Sequence, residues 1–130
     1  SLINKLDLKK RVIFSPPILR LSEKIKKIDS CRLYILPSRV EGMPQSLIEA
    51  MARRKIVIGS NSIAIRDLIK DAIKGFLFEF DNPRDLADKI DNILKMNEQD
   101  LNRIKKEARK TVEQFSWERI KKKIEKLINI

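Results

Sequence analysis

An open α/β fold, a parallel sheet with helices on both faces, is what this sequence predicts. Three observations point to it. Short apolar runs alternate with segments of helical periodicity along most of the chain. The runs at 33–36 and 56–58 lack the polar alternation of a half-exposed strand, as expected where both faces are covered. Each run stops at proline, glycine or a polar cluster before helical spacing resumes. At 130 residues and 42% hydrophobic, the chain has the size of one domain and the means to fill its core.

Taken in order, residues 1–10 read as the tail of a helix with Leu2, Ile3 and Leu6 on one side. Residues 11–14 read as a first strand, stopped by Pro16 and Pro17. Leu21, Ile25 and Ile28 recur at helical spacing up to Asp29. Residues 33–36 form the second strand, and a helix from Gln45 to about Arg54 buries Leu47, Ile48 and Met51. Residues 56–58 are the third strand, ended by Gly59, and the polar loop Ser60-Asn61-Ser62 feeds a short helix through Leu68 and Ile69. Gly75 opens a fourth strand over 76–78.

Asn82-Pro83-Arg84-Asp85 is a helix start: a capping residue, proline in the first turn and an acid near the positive end of the dipole. That helix carries Leu86, Ile90, Ile93 and Leu94 inward. The next, from about Glu98 to Gln114, has Leu101, Ile104, Ala108, Val112 and Phe115 on one stripe. Ser116 is expected to cap a last helix bearing Trp117, Ile120, Ile124 and Leu127, with Trp117 in the core.

The formal charge is +11, from 29 arginines and lysines against 18 acids. Such a balance attracts phosphates, whether on nucleotides, nucleic acids or anionic lipids. Because the lysines are spread along the chain, most of them read as solvated surface of the kind seen on thermophile proteins. One tyrosine, one tryptophan and five phenylalanines, most at predicted core positions, leave few platforms for base stacking, so no nucleic-acid partner is expected. With no histidine and one cysteine, zinc centres and histidine-based triads are excluded. Cys31 reads as a small buried filler in a reducing, cytoplasmic setting. Lys121, Lys122 and Lys123 beside Ile120 and Ile124 suit a solvated face or, as the lesser reading, contact with an anionic membrane.

Chemistry is expected where the second strand meets the helix at Gln45. A strand end facing a helix N-terminus places free amides and the positive end of a dipole in one crevice. Glu41 and Glu49 stand there with seven residues between them. A carboxylate in the loop, Glu41, matches the paired hydroxyls of a sugar. Gly42 lets a ligand approach the backbone, Pro44 suits a first helical turn, and the amides from Met43 through Gln45 to Leu47 suit a phosphate. Glu49 shares a helix face with Gln45 and reaches a second diol. Without further context these two glutamates read more readily as a loop residue and a polar helix face. A hydrolase using them as its carboxylate pair is a weaker option, because sequence spacing does not fix their separation in space.

This stretch, Pro37-Ser38-Arg39-Val40-Glu41-Gly42 followed through Gln45 to Glu49-Ala50-Met51-Ala52, resembles the nucleotide-binding half of retaining glycosyltransferases with the two-domain GT-B fold. The large family in question, glycosyl transferases group 1, includes sucrose-phosphate synthases and lipid mannosyltransferases. The resemblance continues through 56–60, Asp67 to Asp71, 75–78, Asn82-Pro83 and Phe115-Ser116-Trp117. It implies a Rossmann-like domain over 1–115, truncated at its first strand–helix unit, and a C-terminal helix over 116–130 that packs on it or crosses to an acceptor domain. By the resemblance Glu41 is the catalytic contact to the donor sugar, Glu49 holds the ribose, and Gly42, Met43, Pro44, Gln45 and Leu47 line the donor site. It further implies a nucleotide-diphosphate sugar as substrate, no cofactor and no metal, and a missing N-terminal acceptor domain without which the chain is inactive. The lysine and arginine that meet the diphosphate in the family come from the absent unit.

Several positions depart from the family pattern. Arg54 and Ala72 replace glycines, Ile56 replaces a proline, Ile63-Ala64 replaces a glycine pair beside the donor, and Asp67 stands where glutamate is usual. These departures admit a second reading, a domain of the same fold that serves interaction or regulation rather than catalysis.

Overall fold

The computed structural model describes residues 1–128, so Asn129 and Ile130, the end of the expected C-terminal helix, lie outside the described residues. Its parallel sheet runs β1 (Leu33–Leu36), β2 (Ile56–Ser60), β3 (Phe76–Phe78), in that spatial order. The register sets Tyr34 against Val57 and Gly59 against Leu77. The helices are α1 (Leu2–Lys5), α2 (Leu21–Ser30), α3 (Gln45–Ala52), α4 (Ile63–Leu68), α5 (Pro83–Leu94), α6 (Glu98–Val112) and α7 (Trp117–Leu127), with a 3-10 turn at Glu113–Phe115.

Every residue of β2 is buried, because it is the central strand and both its faces are covered. Alternation along the strand then divides the core in two. Val57 joins Leu47, Met51, Ile65 and Ala108 on one face. Ile56 and Ile58 join Phe76, Phe78, Ile93 and Ile104 on the other. The strand continues through Gly59 and Ser60 rather than ending at Gly59. A Cβ on Gly59 would overlap Ile65 Cγ2, so this glycine is where β2 and α4 pack closest. Ser60 Oγ then donates to the Ser38 carbonyl and ties the end of β2 to the loop after β1. Asn82 behaves as predicted, its Oδ1 accepting the Asp85 amide at 3.0 Å and starting α5.

The expected first strand does not form. The amides of Arg11 and Val12 donate to the Leu8 carbonyl at 2.9 and 3.0 Å, so a turn takes the donors that a ladder would need. No described segment pairs with residues 11–14, and Ile13 and Phe14 are 86% and 83% exposed. Apolar composition supplied strand propensity without a neighbouring strand to pair with. Helix α1 is accordingly one short turn rather than the ten-residue tail expected. Leu94 is exposed, not inward. Trp117 is 83% exposed, not in the core, because α7 packs chiefly on the 3-10 turn. Ser116 occupies the N-cap position of α7 but its side chain makes no capping bond. Cys31 is only partly buried and its thiol donates to the Ile28 carbonyl at 3.0 Å.

Two of the departures from glycine have a local cost. Arg54 and Ala72 hold φ of +56° and +59°, in the left-handed region where a Cβ is disfavoured. Ala72→Gly is expected to stabilise the fold by about 1 kcal/mol, measured as an upward shift of the urea midpoint at unchanged slope.

Candidate functional site

At the C-terminal ends of β1 and β2 the loops diverge and leave a cleft of about 540 Å³. Its walls carry Arg39, Glu41, Gly42, Asn61, Ser62 and Asp67. A smaller recess of about 200 Å³ adjoins it, sharing Gly42 and Asp67 and adding Met43, Pro44 and Phe115. The cleft volume falls in the range of small-molecule sites, roughly 300–1,000 Å³. Its position is the crevice in which parallel α/β sheets take ligands.

Glu41 is half-buried on this cleft. Beside it, a Cβ added to Gly42 would meet nothing within 4 Å, and the residue is not among those with positive φ. Neither packing nor backbone conformation therefore requires glycine at this position. Gly42→Ala is expected to leave the melting temperature within about 1 °C, since it touches no packed atom. The same change is expected to weaken any ligand seated against the backbone there, as titration of both proteins would read.

The run of free amides expected over 43–47 is shorter than predicted. Pro44 has no N–H and is buried as the N-cap of α3, one position before the first turn where it was expected. The Gln45 amide donates to the Met43 carbonyl at 2.8 Å, and the Leu47 amide to the Pro44 carbonyl at 3.0 Å. Leu47 is fully buried, so its side chain belongs to the core. The amides left without a backbone partner at this helix end are those of Met43 and Ser46. The tight turn around Pro44 uses the others.

The second acid does not share the cleft. Glu49 lies on the α3 face that looks toward α2, where its Oε2 is 2.5 Å from Lys24 Nζ. That oxygen is buried and has no aligned hydrogen bond, so the contact with Lys24 is electrostatic. The two carboxylates therefore stand on opposite sides of the α3 N-terminus, Glu41 toward α4 and Glu49 toward α2, rather than around one pocket.

Sequence reasoning missed four residues of the cleft. Arg39 enters its wall with the guanidinium 5.8 Å from the centroid of the Phe80 ring. Ser62 Oγ is buried there without a hydrogen-bond partner, an unsatisfied donor and acceptor beside the cleft. Asn61 lines the same wall while its Oδ1 accepts the Phe80 amide at 3.2 Å, and Asp67 faces it from α4. Arg39 was readable from its place within the Pro37–Glu41 loop; Ser62 carried no signal, because its importance lies in a bond it does not make. Ile63 is 72% exposed on the cleft wall and leaves the cleft open. Arg54 is at the opposite end of the sheet and does not approach it.

Comparison with known proteins places this geometry in a family. The model of the family described as Glycosyl transferases group 1 matches residues 1–111. An uncharacterized glycosyltransferase of Methanocaldococcus jannaschii is 32% identical over 89 residues, covering 68% of this chain and 25% of that protein. The N,N'-diacetylbacillosaminyl-diphospho-undecaprenol alpha-1,3-N-acetylgalactosaminyltransferase of Campylobacter jejuni is 31% identical over 87 residues, 67% of this chain and 23% of that one. The chain thus spans about a quarter of the length of these curated relatives. Among solved structures, Anabaena HepE in complex with UDP and glucose superposes with a TM-score of 0.86 at 22% identity, covering 98% of this chain and 34% of that one. By its family match and its fold, this chain belongs to the glycosyl transferases group 1 and has the Rossmann-like C-terminal architecture of GT-B proteins.

Proposed function

We propose that the chain is the donor-binding part of a glycosyltransferase that moves a sugar from a nucleotide-diphosphate sugar to an acceptor with retention of configuration. One observation carries the reading: two carboxylates stand on either side of a helix N-terminus whose Met43 and Ser46 amides are free. A sugar nucleotide has hydroxyl pairs at both ends and a diphosphate in the middle, and this arrangement matches it in order. The sugar sits in the cleft against Glu41, the diphosphate on the amides, and the ribose at Glu49, where it displaces Lys24. Arg39 meets the diphosphate from the cleft wall, and Ser62 Oγ bonds a sugar hydroxyl.

In the transfer, the bond between the anomeric carbon and the diphosphate breaks and the nucleotide diphosphate leaves. The acceptor oxygen forms its bond on the same face and gives its proton to the departing phosphate oxygen. Stabilising the charge on that leaving group is the main task of the site. Amide donors and Arg39 perform it, so the reaction proceeds without a metal ion. An acceptor domain completes the site, and the bare apolar stripe of α7 (Trp117, Ile124 and Leu127) packs against it. Alone, the chain binds donor and does not turn it over.

Titration calorimetry with UDP, GDP and ADP tests the reading. Roughly millimolar binding of at least one is expected, about 4 kcal/mol, and addition of the acceptor domain is expected to restore transfer with chelator present. Flat traces for all three in a folded sample contradict it. A second reading, an interaction domain without catalysis, draws support from Ile63, whose exposed side chain occupies the place of a family glycine on the cleft wall. Nucleotide binding with no transfer by the assembled protein favours that alternative.

A further inference from the structure

A second recess lies at the other end of the sheet. It has a volume of about 280 Å³ and touches Leu33 and Ile56, the first residues of β1 and β2. Strands of four and five residues separate it from the cleft, a span of about 13–16 Å at ~3.3 Å per residue. The two cavities are therefore independent.

Its walls are strongly cationic. Arg32, Arg54, Lys55 and Lys105 line it, with Glu98 as the acid among them. Lys55 is already committed, donating to the carbonyls of Asp29 and Cys31 at 2.6 and 3.2 Å. Neighbouring Arg53, just outside the recess, is likewise occupied by a two-point pair with Asp29. Arg32, Arg54 and Lys105 have no ion pair or side-chain hydrogen bond among the described residues. Arg54 is held toward this recess in a left-handed conformation that a side chain resists. Three unpaired cations around one concavity repel each other, and a multivalent anion between them removes that repulsion. Guanidinium groups also match phosphate oxygens by two parallel hydrogen bonds.

We propose that this recess is a second anion site that binds a small free polyphosphate, with Arg32, Arg54 and Lys105 as its ligating side chains. The charges select the ligand class: three donor-rich cations match a diphosphate or triphosphate group, and a recess of about 280 Å³ admits one. Binding there joins the strand ends to α3 and α6, so it stabilises the folded chain.

Titration of the 130-residue chain with inorganic pyrophosphate and tripolyphosphate, followed by amide proton–nitrogen spectra, tests the proposal. The amides of Arg32, Leu33, Arg54 and Lys55 are expected to shift with saturation. The Arg54→Gln/Lys105→Gln double variant is expected to weaken that titration at least 10-fold while leaving shifts at Met43 and Ser46 unchanged. An Lys121→Gln/Lys122→Gln control on α7 is expected to change it less than twofold. Three results overturn the proposal: no shifts at the strand starts by 10 mM, equal weakening by the α7 control, or equally tight competition by hexaglutamate. The last two mean general charge attraction. If the double variant only lowers the melting temperature and pyrophosphate shifts nothing, these cations merely offset the carbonyl ends of the adjacent helices. The outcome is independent of the donor-site reading, which UDP tests at Met43 and Ser46.

Discussion

Glu41→Ala is expected to cut sugar transfer by the assembled enzyme roughly 10- to 150-fold, the scale of losing one charged hydrogen-bond acceptor to the sugar. Binding of the nucleotide diphosphate alone is expected to stay within about twofold. The split follows from position. Glu41 sits on the cleft beside Gly42, away from the α2 side where the ribose is assigned. A sugar hydroxyl that loses a charged acceptor forfeits about 1.5–3 kcal/mol, while the nucleotide end keeps its contacts. The check is a paired measurement: turnover with the sugar nucleotide, and calorimetry with the nucleotide diphosphate. Equal losses in both would place Glu41 with the phosphates instead of the sugar.

Glu49→Ala is expected to have the complementary effect, weakening nucleotide and sugar nucleotide alike by roughly 10- to 150-fold, the same 1.5–3 kcal/mol. The acid is poised for this by an odd circumstance. Its Oε2 is buried and lacks an aligned hydrogen bond, with only the Lys24 ammonium beside it. On the proposed reading, a ribose diol would supply the missing donors. Since the ion pair is about 40% exposed on both sides, removing it alone costs the fold little. The variant is thus expected to melt within about 2 °C of the parent while losing affinity. Loss of melting temperature with affinity retained would make Glu49 a structural partner of Lys24 and nothing more.

How far the sequence disclosed this molecule depends on what each feature rests upon. The central strand was legible because Ile56, Val57 and Ile58 form an unbroken apolar run, and the start of α5 because Asn82, Pro83 and Asp85 each carry a local reason to be there. Residues 11–14 were misread because a strand is a property of a pair, and composition reports only one member. Trp117 was misread for a related cause: a large aromatic signals a buried position, but among the described residues nothing covers that face of α7. Motif spacing placed Glu41 in the loop after β1 and a helix start at Gln45, and both lie there. It did not reveal that Pro44 tightens the turn and consumes two of the amides, nor that Glu49 turns toward α2. Those depend on the path of the backbone around one proline. Arg54 and Ala72, noticed as missing glycines, turned out to mark left-handed backbone, a case in which a departure from pattern carried geometric information.

The claim on which the account depends is that the free amides of Met43 and Ser46 receive a diphosphate. Amide proton–nitrogen spectra of the folded chain, titrated with UDP, GDP and ADP in turn, examine it directly. For at least one of them, saturable shifts are expected at Met43 and Ser46, with smaller ones at Glu41 and Glu49. If every nucleotide leaves those two amides unmoved, or moves only Arg54 and Lys55 at the opposite end of the sheet, the helix end is not a phosphate site and the proposed donor function fails.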